Sequence, residues 1–130
     1  MTEKLVKTIT LENNQVLKLY DASRKIAGDR WQLTFIARIE IPISDTLSVE
    51  NDWEMMTADE IEEVLGKTVI FEQKREKFFI DEKEKDNVFK KLYVSFLDNS
   101  LSYLSHADFA KRFVFQKYKQ KMSQQSWNHT

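Results

Sequence analysis

A chain of 130 residues, 42% hydrophobic and with sixteen aromatics, has the material for one domain that buries roughly two-thirds of its unfolded surface, which excludes disorder despite 32% charge. Cysteine is absent, which excludes disulfides, thiolate nucleophiles and thiolate-bound metal. The net charge of −1 conceals an asymmetry: residues 1–108 carry 15 basic and 21 acidic groups, a net of −6, whereas residues 109–130 carry five cations and no acid.

The opening stretch MTEKLVKTITLENN holds no uninterrupted apolar segment of the secretory type, and no apolar run approaches the ~20 residues of a membrane span. A soluble, cytoplasmic protein is the expectation. LVKTITL and QVLKLYDAS flank Asn13-Asn14, a pair that tolerates the positive φ of a tight turn, so the spacing predicts a β-hairpin. RWQLTFIARIEIPI follows, with Trp31, Leu33, Phe35, Ala37, Ile39, Ile41 and Ile43 at every odd position. Such alternation predicts a long strand with one buried face, ending at Pro42.

MTADEIEEVLG reads as a short helix. Thr57 and Glu60 form a capping box, Met56 and Ile61 a hydrophobic staple, and Gly66 the left-handed exit. Asp59, Glu60, Glu62 and Glu63 sit where the helix dipole favours acids, which accounts for them without a metal. TVIFEQKREKFFID predicts a second β region, a hairpin turning within Lys74–Lys77 or one long strand. Asp81 and Glu84 then cap a helix over 82–104 whose apolar residues recur at three-and-four spacing. Ser105 with Asp108, and Leu104 with Phe109, predict the start of a last helix over HADFAKRFVFQKYKQKM, followed by the polar tail SQQSWNHT.

The expected fold class is therefore α+β: an antiparallel β-meander plus a second β-hairpin, one face covered by a short helix and two C-terminal helices. Residues 1–122 form a single domain and 123–130 its polar C-terminal tail.

No pattern in the sequence points to catalysis. The only histidines, His106 and His129, sit beside a helix start and next to the end of the sequence, and no nucleophile elbow, histidine pair or calcium-loop spacing occurs. No cofactor, metal or membrane is expected. Two surfaces stand out instead. The first is the corner DASRKIAGDRW, where Asp21, Arg24, Asp29 and Arg30 either pin a strand crossover or hold an anion or a partner. Asp21, Ser23 and Gly28 there resemble the D-x-S…G signature of PilZ domains, which bind a cyclic dinucleotide. The resemblance covers three residues: that family spaces the serine and glycine three apart, here five, and only Lys4 and Lys7 stand where it has paired arginines. It implies a nucleotide as the corner's ligand.

The second surface is the basic last helix, where Lys111, Arg112, Lys117 and Lys119 interleave with Phe115 and Tyr118, and Trp127 follows in the tail. Cations and aromatics so mixed suit a protein partner or, through phosphate contacts and base stacking, nucleic acid. The cations fan over more than half of the helix circumference, which weakens the nucleic-acid reading. Trp53 and Trp127 dock on the core or anchor an interface. The expected function is a non-catalytic binding or regulatory domain acting on an unidentified protein partner or on a second copy of itself. A weak nucleic-acid binder and a binder of a small anionic ligand or nucleotide are the alternatives.

Overall fold

The computed structural model describes residues 3–46 and 58–128, with side chains placed over 3–44 and 59–124. Met56 and Thr57, the staple and cap of the short helix, lie outside the described residues, as do Trp53 and the side chain of Trp127. The elements in chain order are β1 (Lys4–Thr10), β2 (Val16–Asp21), β3 (Arg24–Ala27), β4 (Arg30–Pro42), α1 (Ile43–Thr46), α2 (Ala58–Leu65), β5 (Thr68–Asp81), α3 (Lys85–Leu104) and α4 (Phe109–Asn128). The fold is α+β, an antiparallel sheet with helices. The chain divides into two compact units, Met1–Ile39 with Glu72–His106, and Glu40–Phe71 with Ala107–Thr130.

In the first unit β1 pairs with β2 through the turn at Asn13-Asn14, where Asn14 adopts φ 69°. β2 and β3 are one strand in physical terms. Their partners on β4 keep one register from Leu17↔Ile39 through Asp21↔Phe35 to Arg24↔Gln32 and Lys25↔Trp31. At the break the Ala22 amide still donates to the Thr34 carbonyl (3.0 Å), while the Thr34 amide donates to the Ser23 hydroxyl instead of a carbonyl (3.0 Å). The strand then turns at Gly28, whose φ of 54° suits glycine, and returns as β4. β5 pairs with β4. Side-chain links Arg38–Glu72 and Gln32–Glu76, then the Glu82 amide donating to the Asp29 carbonyl (2.8 Å), run in opposite senses along the two strands, as an antiparallel pair requires.

The odd face of β4 carries this unit's core. Leu33, Phe35, Ala37 and Ile39 are buried with Leu17 and Leu19, and α3 lays Phe89 and Phe96 against Phe35 at ring separations of 6.1 and 5.4 Å. Asn13 ties the first hairpin to the end of α3. Its carboxamide oxygen accepts from the Gln15 amide (3.1 Å), and its nitrogen donates to the Leu104 and His106 carbonyls (2.8 Å each), groups that a helix end leaves without intrahelical partners. Asn13→Ala is expected to lower stability by about 1–2 kcal/mol, measured by urea denaturation, because it removes three bonds and strands carbonyls beside buried Leu104.

In the second unit Ile41, Ile43, Ile61 and Val114 are fully buried. Phe71 of β5 meets Phe109 and Phe113 of α4 at 5.5 and 5.6 Å, and α2 packs on α1 and α4. Gly66 takes φ 88° and its amide donates to the Glu62 carbonyl (2.7 Å), the expected left-handed helix exit.

Four expectations about elements are corrected. TVIFEQKREKFFID is one strand, not a hairpin: Lys74–Lys77 offers no glycine, asparagine or proline to turn on, and side chains from 72 and 76 hold it in line with β4. α3 starts at Lys85 instead of 82, because the Asp81 carboxylate closes a local turn on the Lys83 amide (3.0 Å) before the helix begins. Ser105 closes α3, its amide donating to the Leu101 carbonyl (2.9 Å), and α4 begins only at Phe109. The helical backbone of α4 then continues through most of the polar tail to Asn128, since SQQSWN contains no glycine or proline to stop it. Among the described residues no helix is long and apolar enough to cross a membrane.

Candidate functional site

The corner residues do not converge. Asp21 lies on the helix-covered side of the sheet, its Oδ1 accepting from the Ser23 amide (2.8 Å). Arg24 lies on the opposite side, where its Nε donates to Gln32 Oε1 (3.1 Å) and Gln32 passes the chain on to Glu76 (2.6 Å). Asp29 and Arg30 sit at the hairpin tip. Arg30 contacts the Asp29 carboxylate at 3.9 Å and that of Asp81 at 3.3 Å. Around them Lys25 pairs with Glu82 (3.8 Å), which also accepts from the Trp31 indole N–H (3.2 Å). The corner's charges thus fasten the β3–β4 hairpin to the end of β5. The Asp81 carboxyl is held below its usual range by the Lys83 amide, with Arg30 adding to the effect.

On the side of the sheet opposite α3, Arg38 is the principal node. Its Nη1 and Nη2 donate to both oxygens of Glu3 (3.1 and 3.0 Å), its Nε donates to Glu72 (3.0 Å), and its guanidinium lies 4.8 Å from the Tyr20 ring centre. The hydrogen bond from Arg38 holds the Glu3 carboxyl below its usual range. A depressed carboxylate contributes stability above its unfolded pKa and loses it as pH falls through the folded value. The Arg38 contribution is therefore expected to be present at pH 7 and to fade below about pH 4. Arg38→Gln, compared with wild type by urea denaturation at both ends, is expected to show a deficit at pH 7 that shrinks by about pH 3.

Outside the corner, β5 carries the strongest surface anomaly. Among the described residues it pairs with β4 alone, and residues 72–79 are all exposed. Lys74 and Lys77 form no ion pair among the described residues, whereas Glu72 and Glu76 are tied back to β4. Phe78 and Phe79 follow, 57% and 73% exposed, and Phe79 holds φ 59°, a conformation a bulky residue adopts only at a cost. Sequence reasoning passed over this pair. Its signal was there: adjacent residues on a strand point to opposite faces, so two consecutive phenylalanines cannot both serve one core.

A concave cleft in the same unit lies between the start of α3 and the sheet, about 470 Å³ in volume. It takes Asp21, Ser23 and Trp31 from the corner, and adds Lys4, Lys85, Lys90 and Tyr93, residues that no local sequence pattern groups.

The basic helix is placed differently from expectation in one respect. Arg112 pairs with Asp108 (3.8 Å), Lys117 lies 5.4 Å from the Phe113 ring centre and Lys119 4.3 Å from that of Phe115, each one helical turn back. Lys111 is half-buried on the same helix. Lys117 and Lys119 thus lie over rings of their own helix, at the reach of an i, i+4 pair. Among the described residues no group of three or more His, Asp or Glu side chains is placed as metal ligands are. In comparisons with known proteins, no family model, no curated protein and no solved structure matches this chain.

Proposed function

We propose that this protein is a non-catalytic binding domain that recognises a protein partner along the free edge of β5. The observation that carries the reading is the exposed Phe78–Phe79 pair, with Phe79 in the left-handed region, at the end of a strand that among the described residues is paired on one side only. Such an edge offers main-chain donors and acceptors for strand addition, and neighbouring apolar side chains give specificity. Strain retained on an exposed aromatic is a mark of function, because nothing in the core requires it.

Charge selects the class of partner. Lys74 and Lys77 are exposed on β5 and Arg75 lies 5.9 Å from the Phe96 ring centre, while Glu72 and Glu76 are engaged with Arg38 and Gln32. Like charges at an exposed edge oppose pairing with a second copy of the same edge. They favour an extended acidic segment with apolar residues placed to cover the two rings. The basic face of α4 is a weaker candidate, since three of its cations, Arg112, Lys117 and Lys119, are engaged with Asp108, Phe113 and Phe115 of the same segment.

The test is a tagged pull-down from native lysate, with and without nuclease, using wild type and Phe78→Ser/Phe79→Ser. A near-stoichiometric protein that survives nuclease and is lost from the double variant is the expected result. Recovery that nuclease abolishes, or recovery indifferent to the double variant, overturns it. So does a wild-type protein that comes down alone.

A further inference from the structure

We propose that the cleft beside the first turn of α3 binds a small aromatic anion, a flat ring bearing one phosphate or carboxylate. The inference is independent of β5 and of any protein partner. The volume, about 470 Å³, falls in the range of small-molecule sites. Trp31, Phe89 and Tyr93 supply aromatic walls, and three lysines, Lys4, Lys85 and Lys90, line the same space. Among the described residues none of these three lysines forms an ion pair. Three cations gathered in one cleft, none within ion-pair distance of a carboxylate among the described residues, favour an anion from outside.

The walls are fixed before any ligand arrives. Trp31 is held by its indole N–H on Glu82 (3.2 Å), and Asp21 by the Ser23 amide (2.8 Å). Such preorganisation lowers the entropic cost of binding. Lys85 rests its ammonium over the Trp31 ring, 4.0 Å from its centre, so that face presents a cation to an anionic group, and the ligand's ring is left to Phe89 and Tyr93. The N-cap residue of α3, Glu84, makes no side-chain capping bond; the Lys85 amide donates to the Glu82 carbonyl (3.5 Å), and the Asp86 and Asn87 amides follow it in the first turn beside the lysines.

Two carboxylates, Asp21 and Asp86, also line the cleft. With three lysines they leave a single surplus positive charge, which suits one anionic group and opposes a polyanion. The Asp21 carboxylate is placed to accept from a hydroxyl or amino group on the ligand. Nucleic acid is therefore excluded from this cleft on charge, while a mononucleotide or an aryl carboxylate fits it.

The experiment titrates the full chain with adenosine monophosphate and with 2-naphthoate, and separately with adenosine and with inorganic phosphate. The readout is the Trp31 indole N–H resonance in 1H–15N spectra, assigned by its loss in Trp31→Phe. At least one ring-bearing anion is expected to shift it saturably with a Kd below about 1 mM, roughly tenfold or more tighter than adenosine or phosphate alone. Lys85→Ala/Lys90→Ala is expected to weaken that binding at least about tenfold, and Lys91→Ala, on the same helix outside the cleft, to leave it unchanged. A thermal melt of each variant, and Lys85→Arg/Lys90→Arg as the charge-keeping control, separate lost binding from lost fold. The proposal is overturned if neither ring-bearing anion saturates by about 10 mM, if phosphate alone binds equally well, or if the folded double alanine variant binds as wild type does.

Discussion

Phe35→Ala is expected to lower the stability of the protein by about 3–5 kcal/mol, the largest effect of any single substitution considered. Phe35 is fully buried, and its ring meets Phe89 edge-on at 6.1 Å and Phe96 at a tilt at 5.4 Å. Alanine removes the transfer free energy of the ring and both aromatic contacts. It also leaves a cavity between a sheet and a helix, neither of which can collapse freely. For a chain of this size that loss corresponds to a fall in melting temperature of roughly 10–20 °C. Phe78→Ala serves as the internal comparison. With its ring 57% exposed, it is expected to change stability by no more than about 0.5 kcal/mol. Urea denaturation of the three proteins decides the matter. A Phe35→Ala loss below about 1 kcal/mol would show that α3 does not rest on this face of the sheet.

The same residue shows what the sequence made legible. Phe35 stands in an odd-position run from Trp31 to Ile43, and seven alternating apolar residues leave one solution, a strand with a single buried face. The Asn13-Asn14 turn, the Gly66 helix exit and the two C-terminal helices were readable for the same reason, because each rests on local chemistry within a few residues. The failures were of another kind. Ser105 fits a helix start by spacing, yet in the fold its amide serves the end of the preceding helix, and both roles use the same residue type. Lys74–Lys77 looked like a turn because it is polar, but polarity also describes an edge strand solvated on both faces. The candidate site was harder still. Asp21 and Arg24 are three apart, which on a strand sends them to opposite faces of the sheet. Trp31 meets Lys85 and Glu82 only through pairing between distant segments, and no local pattern encodes that. Periodicity within one element yields which face is buried. It does not yield which charges from different elements share a cleft.

Phe79→Gly is expected to move stability and binding in opposite directions. Phe79 holds φ 59°, in a region where a bulky side chain costs about 1–2 kcal/mol, whereas glycine enters it freely. Its ring is 73% exposed, so removing it forfeits little burial. Glycine gains entropy in the unfolded chain, which offsets part of the relief. The net expectation is a stability equal to wild type or higher by up to about 1 kcal/mol. Asn14, at φ 69°, supplies the contrast: asparagine in a tight turn tolerates this conformation, so Asn14→Gly is expected to change stability by only a few tenths of a kcal/mol. Partner recovery by the Phe79→Gly protein is expected to fall by about tenfold or more, as for an exposed aromatic at the centre of an interface. The opposition of signs is what discriminates. A phenylalanine placed for folding alone would lose stability on replacement and take binding down with it. A phenylalanine kept in a costly conformation for a partner would do the reverse, and denaturation and pull-down on the same preparation separate the two.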